Sequence, residues 1–149
     1  MFDTAAQFDA FLAKFLPEVA DIGRDSVAKL RTLLPECDAL VYDNYNALAT
    51  AFTPNGKPGG SILSLALYPR WASLFVSATL DDPQHILKGS GGSLRHIVLE
   101  GGVGDLDQPA IADLIRQSRE RAGPLLVAGR VGKLIIQSVS AKQRPRRSG

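Results

Sequence analysis

An α+β domain with a sheet of about five strands is what this sequence predicts, and three observations predict it. Apolar residues recur at helical spacing near both ends of the chain. Between them lie short apolar segments punctuated by Gly, Pro and Asn, as strands are. At 149 residues the chain is the size of one domain and long enough to bury a core unaided.

Residues 3–16 form the first predicted helix: Phe8, Phe11, Leu12, Phe15 and Leu16 make one stripe, and Asp3 or Thr4 can cap it. Pro17 separates it from a second helix over 18–34, whose inward set is Val19, Ile22, Val27, Leu30, Leu33 and Leu34; Pro35 stops it. Strands are predicted over 44–53, 61–68 and 73–79, with a hairpin at Asn55-Gly56-Lys57-Pro58-Gly59-Gly60. The run from Ile62 to Tyr68 reads as a central strand covered on both faces. Asp81-Asp82-Pro83 opens a short helix through Leu87, and a further strand covers 94–100. Gly101–Gly104 turns the chain. Asp107 caps a third helix with Pro109 in its first turn and Ile111, Leu114, Ile115 and Ser118 inside. Residues 124–139 add one or two strands, notably 133–139. The last nine residues, 141–149, read as a basic flexible tail.

The apolar share of 45% and the charged share of 21% are those of a globular protein. One cysteine, Cys37, excludes an intrachain disulfide and fits a reducing cytoplasm. No apolar run reaches the length of a membrane span, and Met1-Phe2-Asp3 lacks the basic start of a signal peptide. The expected location is cytoplasmic. The net charge of +2 divides unevenly: residues 1–113 carry 8 Lys/Arg against 14 Asp/Glu, and residues 114–149 carry 9 against 1. Arg116, Arg119 and Arg121 complement the dipole at the end of the third helix, a structural role that weakens any reading of this chain as a nucleic-acid binder. The basic tail leaves room for a weak, salt-dependent association.

The stretch Lys88-Gly89-Ser90-Gly91-Gly92-Ser93-Leu94-Arg95-His96 is the leading candidate for function. Its lysine precedes the glycines and a strand follows them, which excludes a P-loop and a dinucleotide fingerprint. What remains is an anion nest formed by Lys88, Gly89, Ser90, Gly91 and Arg95, or a plain connector. His85 and His96 flank the loop, either as a metal or base pair or as structural residues. Cys37, beside Glu36 and Asp38, reads as a buried side chain and not as a nucleophile. Tyr45, Tyr68, Arg70 and Trp71 either rim a pocket or close the core. Glu18, Asp21 and Asp25 share one face of the second helix, either as oxygen ligands for a hard cation or as a solvated, dipole-matched face.

These pieces resemble the YdhG-like family. The resemblance rests on Phe8-Asp9-Ala10-Phe11-Leu12-Ala13, on Leu30-Arg31-Thr32-Leu33-Leu34-Pro35, on the strands around Tyr45, Leu65–Tyr68 and Leu74–Val76, and on Leu87-Lys88-Gly89-Ser90-Gly91 leading to Leu94-Arg95-His96-Ile97. It implies an antiparallel sheet packed against two N-terminal helices and one C-terminal helix, with the domain over 1–140. Some relatives are described as frataxin-like iron chaperones. No ligand set transfers residue by residue, because helix 1 offers only Asp3 and Asp9 where frataxins have an acidic ridge. An iron carrier built on this chain would use Glu18, Asp21 and Asp25. No nucleophile–base–orienter set can be named. The expectation is a non-enzymatic binding or accessory module without a cofactor, for a small anion or an acidic protein partner. The sequence leaves its oligomeric state open.

Overall fold

The computed structural model describes residues 3–147. Its elements are α1 (Thr4–Leu12), α2 (Pro17–Leu33), β1 (Asp38–Asp43), β2 (Leu48–Thr53), β3 (Leu63–Leu67), β4 (Ala72–Ser77), β5 (Leu94–Val98), α3 (Pro109–Ala122) and β6 (Leu134–Val139). The strands form one six-stranded sheet in the order β5-β4-β3-β2-β1-β6. Neighbours from β5 to β1 are antiparallel, and β6 runs parallel to β1. This is a single α+β domain with six strands where about five were expected, and the last breaks the antiparallel pattern.

The departures have local causes. Helix 1 ends at Leu12 because the chain tightens there, with Phe15 N–H donating to the Leu12 carbonyl at 3.0 Å; Phe15 stays in the core. Asp3 is its cap, accepting from Ala6 N–H. The strand expected over 44–53 is a turn followed by β2, and β1 precedes it. The pattern predicts no strand at β1, because Asp38 and Asp43 bracket Ala39–Tyr42 and disguise a buried strand. No helix forms at 81–87. Instead the Asp82 carboxylate takes the N–H groups of Ile86 and Leu87 at 3.0 and 2.9 Å, and His85 turns at φ 53°. Asp107 does not cap α3; it pairs with Lys29 of α2 at 2.6 Å, and Gln108 stands at the cap with no side-chain bond to the helix. Leu33, expected inside, is exposed.

The three helices lie on one face of the sheet. Leu63, Leu65 and Leu67 of β3 join Ala72, Leu74 and Val76 of β4 in the core with Leu12, Leu30, Leu34 and Leu114. Each fully buried leucine contributes about 1.5–3 kcal/mol of apolar transfer. β3 was expected to be covered on both faces. The helices cover only the leucine face, and Ser64 and Ala66 point to the other.

The expected tail is docked over 143–147, while Ala141 and Lys142 are exposed; Ser148 and Gly149, like Met1 and Phe2, lie outside the described residues. Arg146 is buried and its guanidinium donates to Asp43 at 2.9 Å and to the Asn44 carbonyl at 2.5 Å. Lys14 meets the other Asp43 oxygen at 2.8 Å. Arg147 reaches the carbonyls ending helix 1, Ala13 and Lys14. The tail's positive charge is thus partly spent on the fold. No helix among the described residues is long and apolar enough to cross a membrane.

Candidate functional site

Strand register places two rows of side chains on the face opposite the helices. One row is His96, Phe75, Ser64, Ala51, Leu40 and Ile135. The next is Val98, Ser73, Ala66, Ala49, Tyr42 and Ser138. The middle of both rows is small, so the sheet has a shallow floor between larger groups. A cavity of about 520 Å³ lies there. Ala49, Ser64 and Ala66 floor it. Phe75 and Leu94 wall one side, and Tyr45 and Tyr68 the other, with Asn44, Asn46 and Ser140 adding polar atoms.

Turns set the rim. Asn44 N–H donates to the Ala47 carbonyl at 3.0 Å, closing the β1–β2 turn and presenting Tyr45 half-exposed. Tyr68 N–H donates to the Trp71 carbonyl at 2.8 Å, and the two rings stack with centroids 4.9 Å apart. Arg144 lies over the Tyr45 ring at 5.8 Å, a cation–π contact that brings the C-terminal segment to the same rim. Arg70 sits in the turn between Tyr68 and Trp71.

The glycine loop borders this face at the β5 edge. Lys88 and His96 exchange both backbone hydrogen bonds, at 2.8 and 2.9 Å. Directly opposed antiparallel residues project to the same side, so Lys88 stands on the face with His96, whose ring lies 5.4 Å from Phe75. Gly89 follows at φ 113°, a backbone that an L side chain resists. Gly89, Ser90 and Gly91 are exposed. Arg95 does not join Lys88. It opposes Val76, on the helix side, and its guanidinium donates to the loop's own carbonyls of Gly91 and Leu94. It braces the loop.

The remaining candidates stand apart. Glu18, Asp21 and Asp25 are exposed on α2, and Asp21 pairs with Arg24 at 3.0 Å. Among the described residues, no three His, Cys, Asp or Glu side chains are grouped to hold a metal ion. His85 belongs to the Asp82 turn. The α3 arginines are paired: Arg116 with Asp113 and Glu120, Arg119 with Glu36, and Arg121 with the Thr79 carbonyl at 2.7 Å.

Cys37 is buried, and burial, reinforced by the neighbouring Glu36 charge, pushes its thiol up to about 11. Native protein treated with iodoacetamide at neutral pH is expected to stay unmodified at Cys37. Unfolding in urea should expose it, and mass spectrometry of the intact chain reads the difference. Rapid native labelling would contradict the burial.

Phe75, Leu94 and the small floor were not singled out from sequence. The signal was the alternation Leu63-Ser64-Leu65-Ala66-Leu67, in which every second residue is too small for a core covered on both sides. Compared with protein-family models, with curated proteins and with solved structures, the chain gives no match.

Proposed function

We propose that this chain is a non-enzymatic binding module that holds a small anionic ligand or an acidic partner segment against the uncovered sheet face. The single observation that carries the reading is the cavity whose wall at Leu94 continues into the glycine loop, with Lys88 on the same side. The exposed loop offers backbone N–H groups and a cation to the anionic part, and Tyr45 and Tyr68 offer flat surface to the rest. The resemblance to YdhG-like domains fits an accessory role, and a single buried thiol fits a cytoplasmic setting.

Thermal unfolding with added inorganic phosphate or AMP tests this. A ligand that binds only the folded state raises Tm with concentration, by RT ln(1 + [L]/Kd) in free energy. The rise should vanish in Lys88→Ala. It should weaken in Arg95→Ala, where the loop loses its brace. An unchanged rise in both variants removes the loop from the site.

A further inference from the structure

We infer that the occupant of the uncovered face is a single-stranded nucleic acid, its bases stacked on Tyr45, Tyr68 and Phe75 and its phosphates met by Lys88 and Arg144. This rests on the face and the cations of the reading above and replaces its small or peptide ligand with a polymeric anion.

Three features of the face lead there. The first is its shape. A site for a free small molecule encloses most of the ligand, whereas this cavity lies open across strands β2 to β5. A shallow face gains affinity by repeating weak contacts along a polymer. Strands spaced about 4.8 Å apart make it roughly 14 Å across, room for the two or three bases that sheet platforms stack.

The second is the rings. Tyr45, Tyr68 and Phe75 stand around a floor of Ala and Ser, so planar groups can enter between the rings and lie against them; Tyr45 and Trp71 are exposed. Trp71 already stacks on Tyr68, which fixes the Tyr68 ring at little further entropic cost. Base–aromatic stacking accepts any base, since each has a π-face.

The third is charge. The two rows carry no carboxylate, and Asp38, next along β1 on the same face, is buried and paired with Arg130. Lys88 stands at one margin and Arg144 at the other, on opposite sides of the stacking rings. An acidic peptide would also meet these cations, but it would leave the ring faces unused.

The chain has a single tryptophan, so Trp71 emission reports on the face directly. Titrating the protein with oligo(dT) of about ten nucleotides at low salt should quench Trp71 saturably. Tyr45→Ala and Tyr68→Ala should each weaken binding by about five- to a hundredfold, while Tyr68→Phe retains it. Lys88→Ala should lower the slope of log K against log salt by about one. Oligo(dT) binding that survives both alanine variants overturns the site. Saturable quenching by AMP or by a polyglutamate peptide, with none by oligo(dT), overturns the strand and leaves the small-ligand or acidic-partner reading standing. No response to any of the three overturns both.

Discussion

Asp43→Asn is expected to lower unfolding stability by about 3–5 kcal/mol, the cost of removing one member of a buried ion pair. Asp43 has no exposed surface and Arg146 almost none. The substitution leaves a guanidinium inside the protein with two backbone carbonyls and no counter-charge. Lys14, the other partner, is partly exposed and can turn to water, so the loss concentrates on Arg146. Arg146 Nε already lacks a hydrogen-bond partner, which leaves the group no reserve. Urea denaturation measures the loss. Replacing both residues, Asp43→Asn with Arg146→Met, should recover part of it, because an apolar side chain tolerates that site better than an unpaired charge. The single variant should also become sensitive to trypsin at Lys142. A Cm equal to that of the parent would show that the Asp43–Arg146 pair does not hold the fold together.

The same carboxylate makes stability pH-dependent. Burial alone would raise its pKa, but hydrogen bonds from Lys14, Gln143 and Arg146 outweigh that and hold it below the ordinary value of 3.8. Glu36, held by Arg119, shifts downward too. So does Asp38, where the bonds from Arg130 and Lys133 overcome burial. A depressed folded pKa gives stabilisation that is complete above the unfolded value and is lost as pH falls through the folded one. Stability should therefore be flat from neutral pH down to about 5, then fall through the carboxylate range. Asp43→Asn should show a shallower acid limb.

Gly132→Ala is expected to cost about 3 kcal/mol or more, the upper end for overpacking. A Cβ there would lie 1.7 Å from the Cys37 carbonyl oxygen and 2.4 Å from its carbon. Those atoms are backbone, so no rotamer change relieves the clash. Gly132 N–H also donates to the Pro35 carbonyl at 2.8 Å, and the next residue accepts from Ala39 N–H at 2.8 Å. Relief must part β6 from β1 just where they first pair. It would also disturb Asp38, which ties Arg130 and Lys133 N–H to the same junction. Gly104→Ala, with open space around its Cβ, serves as the control and should stay within about 0.5 kcal/mol of the parent. A Gly132→Ala variant as stable as the control would mean that the β1–β6 junction is looser than its packing implies.

The helices, β2 to β5 and the hairpin between β2 and β3 were legible because their signals are local. Helical or alternating periodicity and Pro or Gly stops act within a few residues. The third helix was read to its buried residues: Ile111, Leu114, Ile115 and Ser118 all lie inside. Part of the candidate site was legible too, since Tyr45, Tyr68 and Lys88 stand around one face. Arg95 was not, because its neighbours in sequence do not reveal that it binds its own loop.

By itself, then, the sequence determined an α+β domain with its helices at the ends and its strands between, since periodicity and turn residues act over short range. Only the tertiary structure decided which sheet face the helices leave uncovered. It alone made β6 a parallel partner of β1 and buried Arg146 of the basic end against Asp43. Those outcomes depend on pairs some hundred residues apart, such as Asp43 with Arg146 and Asp38 with Arg130. Desolvation and charge pairing act through space, and no spacing along the chain encodes them.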